Sequence, residues 1–131
     1  MPDSLELEVA TPERLLVREQ ATEVQVPGKN GYMGILPGHA ALLGLLGAGT
    51  LAYSAAGGKQ YLAIQGGFLE VIEDHVRVLA DIAEPAAEID VAGAQAELAR
   101  AQAEETGADP ETALQAVALA QARIETARHA R

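Results

Sequence analysis

Apolar and polar residues alternate along the first part of the chain with the period of a β-strand. Leu5, Leu7 and Val9 are separated by Glu6 and Glu8, and Thr22, Val24 and Val26 by Glu23 and Gln25, the signature of a strand with one buried face. Pro27-Gly28 stops the second run. Leu51 and Tyr53 form a third alternation closed by Gly57-Gly58, and Lys59 to Gln65 a fourth closed by Gly66-Gly67. Phe68 to Glu73 and Val76 to Asp81 read as a hairpin turning at Glu73-Asp74-His75. Short strands at this spacing predict a β-sandwich or flattened barrel.

Beyond residue 85 the grammar changes to helix. Asp90 is placed to cap a helix running to about Thr106, with Gly107 as its stop. Asp109-Pro110-Glu111 restarts a second helix with a capping residue, a proline at the first helical position and an acid near the positive helix end. Val91, Ala94, Leu98 and Ala101 share one face of the first helix, and Leu114, Val117, Gln121 and Ile124 one face of the second. These faces are narrow and rich in alanine. A hairpin of this kind packs closely but buries about half the area per residue of a leucine-rich one. It is expected to dock marginally and to be able to move, against the plainer reading of a fixed two-helix cap.

Composition sharpens the division into 1–85 and 86–131. Eleven of the 13 glycines and all the aromatic residues precede residue 85, whereas alanine dominates after it, as turns between strands and then helices require. The formal net charge of −10 argues against a nucleic-acid binder, which needs a basic face, and against electrostatic docking on an anionic membrane. Without cysteine there is no disulfide, thiolate nucleophile or thiolate metal site. His39, His75 and His129 are too scattered to indicate zinc, and none has an evident orienting partner for general-base work. No apolar run approaches the roughly 20 residues of a membrane span, and the acidic N-terminus lacks a signal-peptide pattern, so a soluble intracellular protein is expected. No nucleophile elbow, phosphate-binding loop or dinucleotide fingerprint occurs. Glu88 and Asp90 form a close carboxylate pair beside an apolar residue, and a solvated helix start explains them. Enzyme chemistry is disfavoured.

The segment Gly28 to Leu43, GKNGYMGILPGHAALL, is the most informative. Its glycines and proline call for positive φ or close backbone approach. Ile35 and Leu36 read as core-facing turn residues. Tyr32 and Met33 read as offered to a partner on a protruding loop, and His39, after Pro37-Gly38, as an imidazole able to bond the turn backbone.

With VATPERLL (Val9 to Leu16), GYMGILPGHAALL (Gly31 to Leu43), YLAIQGGFLEV (Tyr61 to Val71), VRVLAD (Val76 to Asp81) and EIDVAGAQAELARA (Glu88 to Ala101) in this order, the chain closely resembles the epsilon subunit of bacterial F-type ATP synthase over essentially its whole length. The resemblance implies a β-sandwich of about ten strands followed by an antiparallel two-helix hairpin. It implies a non-catalytic rotor subunit that couples proton-driven rotation to ATP synthesis. Its sandwich would bind the gamma subunit and touch the c-ring, for which Tyr32, Met33, Gly34 and His39 are the candidate residues. Its hairpin would rise along gamma and brake hydrolysis through basic residues set against the beta subunits, here Arg123, Arg128 and Arg131. That basic set is thin, so the expected brake is at most modest, and helix-dipole complementation is the plainer account of Arg128 and Arg131.

Some members of the family bind ATP on the folded hairpin through an I/L-D-x-x-R-A motif. Here Asp90 and Ala94 match, Arg100 and Arg123 match further basic positions, and Gly93 replaces the motif arginine. A triphosphate is ordinarily met by bidentate arginines, so ATP is expected to bind weaker than millimolar or not at all, and no cofactor is expected. A nucleotide-sensing module is the alternative reading, and a small enzyme on a sandwich a distant third. The isolated chain is expected to be a monomer. In the complex it would sit peripherally on the cytoplasmic face of the bacterial plasma membrane. No Arg- and Ser-rich presequence points to a mitochondrial member, and a chloroplast-type complex stays open.

Overall fold

The computed structural model describes residues 3–103 and 109–130. The elements are β1 (Leu5–Ala10), β2 (Leu15–Ala21), β3 (Glu23–Gly28), β4 (Gly31–Ile35), β5 (Leu42–Leu45), β6 (Ala48–Ala55), β7 (Gly58–Ile72), β8 (His75–Pro85), a 3-10 turn Ala86–Glu88, α1 (Val91–Ala103) and α2 (Pro110–Ala127). The sandwich-then-hairpin architecture is the expected one, with eight strands among the described residues rather than about ten.

The strands form one ladder in the order β2-β1-β8-β7-β6-β3-β4, with β5 also paired to β7. The ladder becomes a sandwich because β7 changes partner and face along its length. Residues 58–65 pair with β6 and residues 68–71 with β5, while β8 runs beside both halves. Leu62 and Ile64 point into the core before the switch, Leu69 and Val71 after it. Going from an even to an odd inward set inside one strand requires a local break in the alternation. Gly66 and Gly67 supply it with φ of +70° and +96°, a region that L side chains avoid. The glycines read as a strand end are thus a bend inside one long strand. One sheet of the sandwich holds β2, β1, the first half of β8, the second half of β7 and β5; the other holds the remaining halves with β6, β3 and β4.

The β7-β8 hairpin turns at Glu73 and Asp74, with φ of 46° and 61°, the two consecutive left-handed residues of a tight hairpin turn. His75 already belongs to β8. Leu5, Leu7, Val9, Val24, Val26, Ile35, Leu51, Leu62 and Ile64 fill the space between the layers together with Leu69, Val71, Val76 and Val78. Each such burial contributes about 1.5–3 kcal/mol before conformational entropy is subtracted.

Three strand segments were not foreseen. Gly31–Ile35, expected to be a protruding loop, is β4, an edge strand paired with β3 from Val24↔Ile35 to Gly28↔Gly31. Within β2 only Val17 and Ala21 are buried, four residues apart, so no period-2 signal shows. Strand β5 is four residues long and half-exposed. Edge strands of this kind bury too little side chain to leave a pattern.

The hairpin keeps its expected start but not its expected faces. Asp90 caps α1, its Oδ1 accepting the Gly93 N–H at 3.0 Å. Asp109 precedes Pro110, yet its carboxylate accepts from the Thr112 hydroxyl at 3.0 Å rather than from a backbone amide. Thr106 and Gly107, read as the end of the first helix, lie outside the described residues. On α1 Ala94 and Ala101 are buried as expected, but Val91 is exposed; on α2 Leu114 and Gln121 are exposed, and Ala113, Ala120, Ala122 and Thr126 are buried instead. The smallest side chains face inward because they let α2 approach both α1 and the sheet closely, which displaces the larger residues outward.

Candidate docking surfaces

The sheet that ends in β5 presents its outer face in rows. Cross-strand pairing sets Leu45 opposite Phe68, Phe68 opposite Leu79, Leu79 opposite Ala10 and Ala10 opposite Leu15. Directly opposed residues project to the same face, so these five make one apolar row across five strands. Leu45 is 60% exposed and Phe68 45% exposed. The next row is Leu43, Glu70, Arg77, Glu8 and Arg18; Leu43 extends the apolar patch and the rest is charged. A contiguous apolar row rimmed by charge is the ordinary anatomy of a protein-docking face.

The charged row draws in a histidine. His75 Nε2 lies 3.1 Å from Glu8 Oε1, and the atoms of Glu6, Glu8 and His75 lie within 4.8 Å of one another. The expectation that no histidine has an orienting partner is corrected here. Parallel pairing of β1 with β8 brings Glu6 opposite His75 and Glu8 within reach of it, a contact invisible across the 67 residues between Glu8 and His75. Arg77 and Arg18 also reach Glu8, at 3.8 and 4.0 Å. A carboxylate already met by two guanidiniums on an open sheet face is an ion-pair lattice, poorly suited to a cation or a reacting group.

The four residues proposed to face a ring do not make one patch. Tyr32 and Gly34 project from the outer face of β4 and are exposed, whereas Met33 alternates inward and packs against the core. The Tyr32 ring lies across Pro27 and Gly49, and its hydroxyl accepts the Thr50 N–H at 3.0 Å. Any side chain at position 49 would collide with that hydroxyl and with Pro27. His39 sits beyond β4 in the turn after Leu36, its Nδ1 2.8 Å from the Ala40 carbonyl, as the turn reading expected. The Gly38 N–H donates to Asp74 Oδ1 at 2.6 Å, tying this turn to the β7-β8 turn at one end of the sandwich.

The second surface is covered by α2, which packs on β6 and β7. Its tethers are polar. The Thr126 hydroxyl, fully buried, lies 2.7 Å from that of Thr50. Gln65 Nε2 donates to the Gln115 carbonyl at 2.8 Å. Arg123 forks onto Glu84, Nε to Oε1 at 2.8 Å and Nη2 to Oε2 at 3.5 Å. The His129 and Tyr61 rings stack with centroids 3.9 Å apart.

Every polar member of the candidate nucleotide set is engaged within the chain. Asp90 caps α1, Arg100 pairs with Glu97 at 2.7 Å and Arg123 with Glu84, while Ala94 is fully buried. Of the candidate brake residues, Arg128 is exposed and paired one helical turn away with Glu125 at 2.8 Å, and Arg131 lies outside the described residues. Sequence reasoning missed Glu84, because its partner is supplied by a helix 39 residues on.

Among the described residues no helix is long and apolar enough to cross a membrane. Residues 4–86 match the family model for the ATP synthase Delta/Epsilon chain β-sandwich domain. The chain is 63% identical over 131 residues to the ATP synthase epsilon chain of Solibacter usitatus, covering 97% of this chain and 98% of that one. The match to the Koribacter versatilis epsilon chain is 49% over 84 residues, 64% of this chain and 59% of the relative. Among solved structures, a chain of the Euglena gracilis mitochondrial ATP synthase (OSCP/F1/c-ring, rotational state 1) superposes with a TM-score of 0.80 at 26% identity, over 98% of this chain and 84% of that one. A chain of the Tetrahymena thermophila mitochondrial ATP synthase central stalk and c-ring shares the fold at 14% identity, with a TM-score of 0.56 over 96% and 95% of the two chains. A sandwich with an apolar outer row and an alanine-rich hairpin, matched over nearly its full length, belongs to the family of ATP synthase epsilon chains.

Proposed function

We propose that the chain works as a non-catalytic central-stalk subunit of a proton-translocating F-type ATP synthase. The sandwich, 1–85, is the docking body, and the hairpin, 86–131, is an arm that lifts. The observation that carries the reading is the outward apolar row Leu15, Ala10, Leu79, Phe68 and Leu45. We assign it to the gamma subunit, because a face of this size on a net-acidic chain fits an apolar protein partner. The β4 edge and the turn tied to Asp74 would face the c-ring, with Tyr32, Gly34 and His39 in contact; Met33, packed on the core, supports that edge from behind. A lifted arm would carry Arg123, Arg128 and Arg131 toward the beta subunits. The complex would hold the chain peripherally at the cytoplasmic face of the bacterial plasma membrane.

The nucleotide-sensing alternative loses support, since Arg100, Arg123 and Asp90 already have partners. The reading is tested by gamma binding in solution. Phe68→Glu and Leu45→Glu are each expected to weaken it about tenfold or more, as for buried anchors at an interface. Leu114→Glu, on the exposed side of α2, is expected to leave it unchanged. Equal affinity for all three variants would remove the assignment.

A further inference from the structure

The turn between β3 and β4 is pinned on one side and open on the other. The Lys29 N–H donates to the Leu45 carbonyl at 2.9 Å, and a Cβ built at Gly47 would lie 3.3 Å from the Lys29 Cα, so this half of the turn is packed. Asn30 and Gly31 are exposed, and a Cβ at Gly31 would meet nothing within 4 Å. Asn30 is the only asparagine of the chain, and a glycine follows it. No side chain therefore shields the Gly31 nitrogen from the carboxamide one residue before it. Gly31 pairs with Gly28 on the last rung of the β3-β4 ladder, and an end rung beside a turn opens most readily. The Gln65-Gly66 step provides the contrast. There the side-chain amide donates to the Gln115 carbonyl at 2.8 Å and the Gly66 N–H to the Gly47 carbonyl at 3.2 Å, so both groups are held apart.

We propose that Asn30-Gly31 is a site of spontaneous deamidation, which turns the neutral tip of this hairpin into an anionic one. The Gly31 nitrogen, having lost its proton to hydroxide, attacks Asn30 Cγ. A new C–N bond forms, the carboxamide C–N bond breaks, and the leaving nitrogen takes up a proton and departs as ammonia. Water then opens either carbonyl of the resulting succinimide ring and leaves aspartate or isoaspartate at position 30. The net exchange is one water taken up for one ammonia released. Isoaspartate routes the main chain through the former side chain, which adds a carbon to the path from the pinned Lys29 to β4. Where the β4 edge meets a ring, as proposed above, each conversion adds a negative charge at that contact; only this consequence rests on that reading.

The test incubates the full chain in mildly alkaline buffer and follows position 30 by fragment-ion mass together with released ammonia. Asn30→Asp supplies the standard for the aspartate product. The folded chain is expected to convert no more than about tenfold slower than the same chain unfolded in guanidinium, the scale set by opening one backbone pair. Protection beyond that overturns the proposal, because the folded turn would then hold the two groups apart. Asn30→Gln is expected to slow ammonia release about tenfold or more, since its longer side chain must close a larger, less readily aligned ring. Ammonia release from Asn30→Gln equal to that of the unsubstituted chain also overturns it, by placing the reaction at another amide.

Discussion

The sandwich and the hairpin solve the same problem with different materials. The sandwich buries branched aliphatic side chains between two layers, and its polar rows lie on the outside. The hairpin buries alanine and one threonine, and its attachments to the sheet are a hydroxyl pair, an amide, an ion-pair fork and a ring stack. Apolar burial scales with area, whereas a hydrogen bond to protein is traded for one to water with a small net gain. The sandwich is therefore held by a term that vanishes only on unfolding. The arm is held by terms that water can replace. On the reading proposed above, one chain combines a docking body with a detachable element, and the change of material falls where β8 ends at Pro85.

The largest test of this contrast is a cavity in the sandwich. Leu51→Ala removes a fully buried side chain from the core and is expected to cost about 2–5 kcal/mol. Denaturant unfolding followed by tyrosine fluorescence and by helical circular dichroism should show both signals shifted. The complementary change is Ala122→Leu. Ala122 is buried beside Tyr32, Gly49 and Thr50, where extra methylenes force overpacking at about 1–3 kcal/mol. Here the expected result is an arm that lifts or melts first, seen as an early loss of helical circular dichroism, while the sheet transition, read by amide exchange in the strands, stays in place. Coincident shifts in both signals for Ala122→Leu would mean that the two regions are one cooperative unit, and the contrast would fail.

How much of this could be read in the sequence follows from the same physics. Leu5, Leu7 and Val9 announced a strand because one face is buried and the other wet. Strands β2, β4 and β5 were silent because edge strands bury few residues, and Tyr32, which looked free, is taken up by the Thr50 amide. The helix starts were legible because capping is local. The helix faces were not, because alanine is chosen by the neighbour's distance rather than by hydrophobicity. Glu84 with Arg123 and Glu8 with His75 depend on strand register and helix docking across long sequence separations. No spacing rule reaches that far.

Within the hairpin a smaller change sharpens the comparison. Asp90 Oδ1 satisfies one of the orphan amides at the start of α1, and Asp90→Ala is expected to cost about 0.5–2 kcal/mol of helix stability. The loss should appear as faster amide exchange in the first turn of α1. Exchange in β6 and β7 should be unaffected. Protection lost equally in the strands would show that α1, too, supports the sheet.

The smallest effect tests the sandwich at its seam. The Tyr53 hydroxyl on β6 donates to Glu19 on β2, closing the ladder between a central and an edge strand. Burial first, and then the hydrogen bond and charge of Glu19, hold this phenol above its ordinary value of 10.0. The sign follows directly: above pH 10.0 the unfolded chain releases a proton that the folded chain keeps, so stability declines as pH rises from there. Tyr53→Phe is expected to cost about 0.5–1.5 kcal/mol near neutrality. It should also remove this part of the alkaline decline, so the two chains converge in stability as pH increases. Other tyrosines and the lysines titrate in the same range in both chains, which makes the difference between them the decisive quantity. A difference that stays constant across pH 10.0 would mean that the hydroxyl is hydrated in solution and that the seam is closed by packing alone.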